Sequence, residues 1–326
     1  MSRKTVLIYP GQGAQYTGMC REFYDSYENV RELYAEASKA CGLDLAGLCF
    51  SEERSEELSL TQYTQPAMVC AELAMTLIVK EELSRQGIEV FASAGLSLGE
   101  YAAISEAGAL SFSDAVRTVY ERGKLMAGAV PAGEGAMAAV INPDIAVLNE
   151  VLSETEGAYV ANYNSPAQIV ITGYKASVEL AVKRLTERGI KRCVMLNVSG
   201  PFHSPLLKEA GEKLGKVLSE TELGELRHPY YSNIDGLMVK DESEIREKLV
   251  RQVSGSVHWQ QIIEAMLSEG VDTFIEIGPG RTLCGFIQKI LRAGTAAIKA
   301  DQADIKLINI EKPEDLSKIA GISEET

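Results

Sequence analysis

The sequence predicts an α/β fold in which a large domain with a mostly parallel sheet is interrupted by a smaller subdomain. Three observations carry this reading. Strand-length apolar runs alternate with helical patterns over residues 1–127, the pattern changes after the glycine-rich stretch 128–135, and the alternation resumes beyond residue 198. Taken in order, residues 5–9 are an apolar run stopped by Pro10-Gly11, which makes a first strand. Residues 21–40 and 65–86 carry helical periodicity; the run 67–79 is interrupted by Glu72 and reads as a core helix. Residues 91–95 form a second strand, followed by helices over 100–107 and 113–127. Past the glycines, 136–141 reads as a strand, 144–154 as a helix, and 159–163 and 168–172 as strands around the turn Asn164-Ser165-Pro166. A helix over 176–188 and a strand over 193–198 complete a βαββαβ order, that of a ferredoxin-like unit. Helices over 206–220, 243–252, 260–269 and 279–293 follow, with strands at 230–234, 272–277 and 305–310, and 323–326 reads as a frayed polar end. The expected division is therefore 1–127 and 199–326 for the large domain, with 128–198 as the insertion.

At 326 residues the chain exceeds the usual size of one domain and is long enough to bury a sizeable core. With 46% hydrophobic and 24% charged residues it has the composition of a soluble protein. No stretch offers the roughly 18 uncharged apolar residues of a membrane span, and the apolar run at 5–9 is too short for a secretion signal, so a cytoplasmic protein is expected. A net charge of −14 argues against general nucleic-acid binding, and any acidic partner must meet a local basic patch. Cys20, Cys41, Cys49, Cys70, Cys193 and Cys284 show no Cys-x-x-Cys spacing and read as reduced core thiols rather than a metal site or a disulfide framework.

The chemistry starts at Gly95-Leu96-Ser97-Leu98-Gly99, between an apolar strand and a helical pattern. This is a strand-to-helix elbow, where flanking glycines remove clashing Cβ atoms and Ser97 projects at a helix N-terminus. A glycine-rich turn with a helix-capping serine fits the pentapeptide equally. A serine nucleophile needs a base, and the chain holds three histidines. His203, in Gly200-Pro201-Phe202-His203-Ser204-Pro205, lies in a loop at the subdomain seam and is the best placed; a buried structural histidine is the competing reading. His228, before Pro229, and His258, beside Trp259, read as structural. Arg122, beside Glu121 and Lys124, is either an ordinary solvated helix charge or, turned inward, a bidentate clamp for a carboxylate. Its spacing does not choose between them.

Six co-linear segments resemble the malonyl-CoA:acyl-carrier-protein transacylase family, over about residues 5–291. They are Tyr9-Pro10-Gly11-Gln12-Gly13-Ala14-Gln15, Gly95 to Glu100, Arg122-Gly123-Lys124-Leu125-Met126, Asn162-Tyr163-Asn164-Ser165-Pro166, Gly200 to Ser204, and Glu276-Ile277-Gly278-Pro279-Gly280. The resemblance implies an α/β-hydrolase-like large domain with a ferredoxin-like insertion. It implies Ser97 as nucleophile, His203 as base, and the main-chain carbonyl of Gln252 in place of an acidic third member. The N–H groups of Gln12 and Leu98 would form the oxyanion hole, and Arg122 would take the malonyl carboxylate with Met126 lining the pocket. Phe202 would favour malonyl over branched acyl groups, with a plain core phenylalanine as the alternative. Asn162 and Asn164 would lie near the pantetheine arm, or else cap their own turn. The family has histidine where this chain has Leu96, which leaves the hydrogen bonding of the elbow open. Gly278-Pro279-Gly280-Arg281 reads as a strand-to-helix turn rather than a phosphate site.

The implied reaction is malonyl transfer from malonyl-CoA to an acyl carrier protein in fatty-acid or polyketide synthesis, with no cofactor or metal, in a monomer. Lys183, Lys191 and Arg192 are candidates for a basic rim facing the carrier, or simply solvated charges. Two other readings use the same residues: a serine esterase or thioesterase, which has no need of Arg122, and a non-catalytic acyl-binding subunit, which has no need of the three together.

Overall fold

In a computed structural model of the chain, residues 3–198, 200–294 and 304–323 are described. The first strand, β1 (Thr5–Tyr9), is buried along its whole length, as a strand covered on both faces must be. It leads into α1 (Arg21–Ser26), α2 (Glu28–Cys41), α3 (Leu45–Phe50), α4 (Ser55–Leu58) and α5 (Thr61–Arg85). The single helix expected over 21–40 is broken at Tyr27, whose extended backbone (φ −125°, ψ 125°) ends α1 and starts α2. Its periodicity survives the break because Phe23, Val30 and Tyr34 enter one core, and Tyr27 stacks on Phe23. The amphipathic pattern reports the buried face, not the continuity of the axis. α5 is buried on nearly every side, Glu72 included.

Strand β2 (Val90–Gly95) and helices α6 (Gly99–Glu106) and α7 (Phe112–Ala127) complete the first part. Next come β3 (Gly135–Ile141), α8 (Ile145–Ser153), β4 (Ala158–Ser165), β5 (Gln168–Tyr174), α9 (Lys175–Glu187) and β6 (Cys193–Met195). These strands form a separate antiparallel sheet in the order β4-β5-β3-β6. Two expectations are corrected here. The turn between β4 and β5 is Pro166-Ala167, because Ser165 pairs with Gln168 and keeps Asn164 and Ser165 in the strand. β6 stops at Met195 rather than 198, where its ladder with β3 ends.

The chain continues through α10 (Lys208–Ser219), β7 (Tyr230–Tyr231), β8 (Met238–Val239), α11 (Ile245–Ser254), α12 (Trp259–Ser268), β9 (Thr273–Ile277), α13 (Thr282–Ala293), β10 (Lys306–Ile310) and α14 (Ser317–Ser323). β7 is shorter than the expected 230–234. The helix expected from 279 begins at Thr282, because Gly278 and Gly280 hold φ of 141° and 78° and the Glu276 carboxylate accepts the N–H groups of Leu283 and Cys284. α3, α4, β8 and α14 lie outside the elements that the sequence predicts. Residues 324–326, part of the expected frayed end, lie outside the described residues.

The large sheet runs β10-β9-β1-β2-β7-β8 and is parallel except between β7 and β8. Along β1, Leu7 and Tyr9 enter the core on one face and Val6 and Ile8 the core on the other, the strand alternation expected of a sheet covered on both sides. β1 and β2 are paired through Tyr9 and Gly95, so the loops leaving their carboxyl ends, Pro10-Gly11-Gln12 and Leu96-Ser97-Leu98, emerge side by side. Open parallel sheets place their sites at such carboxyl ends. The small sheet docks nearby, where Val257 exchanges main-chain hydrogen bonds with Ala161 and Tyr163 of β4.

Candidate active site

Ser97 stands between β2 and α6 with φ 54°, in the left-handed region that costs a non-glycine residue on the order of 1–3 kcal/mol. The flanking glycines serve close approach. A Cβ on Gly95 would stand 1.9 Å from the Gly99 carbonyl carbon, and one on Gly99 would stand 2.3 Å from the Tyr9 oxygen. With both Cβ atoms absent, β1, β2 and the first turn of α6 meet, and Ser97 is turned outward. Leu96 does not disturb this elbow. Its N–H donates to the Tyr9 carbonyl at 2.9 Å, and its side chain packs against the apolar cluster under the sheet.

The strained serine is braced by Asn233, which sequence reasoning missed. Asn233 Oδ1 accepts from the Ser97 N–H at 2.6 Å, and its Nδ2 donates to the Gly95 carbonyl at 2.7 Å. Its backbone N–H donates to Glu100 at 3.2 Å, and its carbonyl accepts from His258 N–H, which is why β7 ends two residues earlier. Asn233→Ala leaves buried donors and acceptors on both sides of the elbow unpaired. The expected cost is about 2–4 kcal/mol in urea denaturation, with slower acylation of Ser97. Unchanged stability and rate would remove Asn233 from this role.

His203 also adopts a left-handed backbone (φ 58°), set by the rigid loop around Pro201 and Pro205. Ser97 Oγ lies 2.7 Å from His203 Nε2, and His203 Nδ1 lies 2.9 Å from the Gln252 carbonyl. A carbonyl only accepts, so the ring proton sits on Nδ1 and Nε2 offers its lone pair to the serine hydroxyl. Gln252 is in the last turn of α11, where carbonyls lack an intrahelical donor. His203 is 4% exposed; burial, together with the nearby Arg122 charge, pushes its imidazole down to about 4. It is therefore neutral, and a base, at neutral pH.

Arg122 is turned inward from α7 and is 1% exposed. Its Nη2 donates to Ser97 Oγ at 3.1 Å and to Gln252 Oε1 at 2.9 Å, its Nη1 donates to Gln65 Oε1 at 2.9 Å, and its guanidinium lies over the Tyr101 ring. These oxygens are neutral, so the cation is desolvated without a carboxylate in contact with it, and burial pulls its pKa down. Met126 lies one turn further along, its sulfur 3.7 Å from Gln65 Nε2. Gln252 Nε2 donates to the Ser97 carbonyl at 2.7 Å and to Glu100 Oε2 at 2.8 Å. Burial pushes the Glu100 carboxyl up to about 7, against these hydrogen bonds.

The remaining residues fall into place around this cluster. Gln12 follows β1, its Nε2 donating to Thr61 Oγ1; Leu98 is buried at the start of α6. Among the described residues neither backbone N–H has a protein acceptor. Phe202 is buried beside His203. Asn164 Nδ2 donates to Gln168 Oε1 across its own hairpin, the turn-stabilising alternative, and Asn162 forms an isolated bridge with Val257. His228 pairs with Glu106 at 2.9 Å and His258 stacks on Tyr163; among the described residues the imidazole bonded to Ser97 is that of His203. Among the described residues no three His, Cys, Asp or Glu side chains are gathered as a metal site.

Comparison with known proteins matches this arrangement to one family. A family model for the acyl transferase domain covers residues 6–315. The chain is 42% identical over 308 residues to the malonyl CoA-acyl carrier protein transacylase of Bacillus subtilis (strain 168), spanning 93% of this chain and 96% of the relative. It is 40% identical over 293 residues to the protein of the same name from Escherichia coli (strain K12), spanning 89% and 94%. The crystal structure of the transacylase from Clostridium perfringens ATCC 13124 superposes with a TM-score of 0.87 at 37% identity, covering 98% of this chain and 96% of that one. A malonyl-transacylase solved in complex with its type II PKS acyl-carrier protein superposes at 0.89 with 34% identity, covering 98% and 99%. With a serine elbow, a carbonyl-oriented histidine and a buried arginine in one cluster, and this likeness along nearly its whole length, the chain belongs to the malonyl CoA-acyl carrier protein transacylase family of acyl transferases.

Proposed function

We propose that the protein transfers the malonyl group of malonyl-CoA to the phosphopantetheine thiol of an acyl carrier protein, in fatty-acid or polyketide synthesis, through an ester on Ser97. The observation that carries this reading is the Arg122 guanidinium, buried and 3.1 Å from the nucleophile. Ser97 Oγ attacks the thioester carbonyl as its proton passes to His203 Nε2. The Gln12 and Leu98 N–H groups receive the oxyanion. The C–S bond breaks, the imidazolium returns the proton to the CoA sulfur, and CoA leaves. The carrier thiol then gives its proton to His203 and attacks the ester, and Ser97 takes the proton back. On acylation Ser97 Oγ becomes an ester oxygen and a weaker acceptor, which frees an Arg122 Nη2 hydrogen for the malonyl carboxylate. Phe202 limits room at the α-carbon and Met126 lines the pocket. Asn162 and Asn164 sit on the strand that would face the pantetheine arm.

The sheet order β4-β5-β3-β6 supports a ferredoxin-like reading of residues 128–198, inserted in an α/β-hydrolase-like domain. Among the described residues no helix is long and apolar enough to cross a membrane, and the reading carries with it a cytoplasmic monomer. Exposed Lys191 and Arg192, with Lys183 on α9, would face an acidic carrier. The test is intact-protein mass spectrometry after brief mixing with malonyl-CoA or acetyl-CoA. A malonyl adduct on Ser97, formed faster than the acetyl one, is the expected result. Equal adducts would favour an esterase, and no adduct a non-catalytic subunit.

A further inference from the structure

Gln252 lies between the two halves of the site and uses its two ends for different purposes. Its main-chain carbonyl orients His203, a contact that does not depend on the side chain. The side-chain amide reaches the other way. Nε2 donates to the Ser97 carbonyl and to Glu100 Oε2, while Oε1 accepts from Arg122 Nη2. An amide has one donor end and one acceptor end, and here both acceptors stand at one end and a cation at the other. Reversing it would set Oε1 against a carbonyl and a carboxylate, and Nε2 against a guanidinium. Glu100 is itself held by the Asn233 N–H, and Gln252, Glu100 and Arg122 are all buried, where unpaired groups are costly. Gln65 and Gln252 thus hold the two ends of the Arg122 fork, and Glu100 together with the Ser97 carbonyl decides which end of Gln252 faces it.

We propose that the Gln252 side-chain amide, locked in one orientation by Glu100, positions Arg122 for the carboxylate of the acyl group; the inference rests on the transacylase reading above. Gln252→Met keeps the main-chain carbonyl and a similar volume but has no amide. In single-turnover acylation of the full chain, its malonyl-to-acetyl rate ratio is expected to fall about tenfold, the weight of a charge-assisted hydrogen bond. The acetyl rate is expected to fall too, because Gln252 Nε2 also holds the Ser97 carbonyl, so the ratio of the two rates is the readout. A purely structural loss would lower both rates by the same factor and leave the ratio unchanged. Glu100→Leu should lower the same ratio, Glu100→Gln, which keeps an acceptor oxygen, should restore it, and the Gln252→Met/Glu100→Leu pair should be no worse than either alone. If a variant does not fold, Glu100→Asp, which withdraws the carboxylate by one methylene, reads out the same ratio with Gln252 intact. An unchanged ratio in folded Gln252→Met, or parallel losses, overturns the proposal. Wild-type protein that takes acetyl as readily as malonyl would instead overturn the transacylase reading.

Discussion

Ser97→Ala is expected to abolish the covalent adduct, and His203→Ala to slow acylation on the order of 10⁴-fold or more. The two losses should not add. Ser97 Oγ is an unactivated alcohol unless Nε2, 2.7 Å away, accepts its proton, so removing either member removes the same step. Residual malonyl transfer to the carrier thiol should therefore be no slower in the double variant than in Ser97→Ala. A pH profile sharpens the test. An ordinary histidine near 6.5 would lose half its base form just below neutrality, whereas burial and the Arg122 charge push His203 down to about 4. Because the neutral ring is the base, and a lowered pKa keeps it neutral as pH falls, acylation by acetyl-CoA should stay level from about pH 8 to about pH 5 and fall only below that. An acid limb centred near 6.5 would mean that this imidazole is neither buried nor beside the Arg122 charge as the structure has it.

Arg122→Ala is expected to cut malonyl acylation on the order of 10²- to 10³-fold while changing acetyl acylation far less. The guanidinium is 1% exposed and bonded to neutral oxygens, Gln65 Oε1, Gln252 Oε1 and Ser97 Oγ. A buried cation without an anion in contact is poorly compensated, and a malonyl carboxylate supplies the missing charge together with bidentate geometry. Acetyl-CoA leaves the cation as it was, at a relative penalty of roughly 2–5 kcal/mol. Since Arg122 also touches the serine hydroxyl, both rates will move. The ratio is the measurement that decides. Arg122→Lys should recover part of the preference, because a point charge attracts the carboxylate without forking to it. A ratio that survives Arg122→Ala would place the specificity elsewhere.

Some of this was legible in the chain because its causes are local. Gly95 and Gly99 bracket Ser97 for a steric reason that acts within five residues, so the elbow can be read from its pentapeptide once the flanking strand and helix are recognised. Alternating apolar runs located both sheets, since each strand must bury its own side chains whatever its neighbours are. The break at Tyr27 and the shortened β7 were not legible. The first leaves the apolar period intact, and the second is imposed by the hydrogen bonds that the Asn233 backbone donates to Glu100 and accepts from His258.

Function divides along the same line. By itself the sequence determined the inventory: a nucleophile at an elbow, three histidines of which one lies in a backbone-restricted loop, and one arginine four residues before Met126. Only the tertiary structure decided which way Arg122 faces, because its helix offers the same spacing to a solvated charge and to a buried clamp. Only the tertiary structure brought in Asn233, 136 residues from the serine it braces, and Gln65, Glu100 and Gln252 around the guanidinium. Amides and acids of this kind have no local signature. Their roles arise when partners distant in sequence present a donor at one end and an acceptor at the other, in a site from which water is excluded.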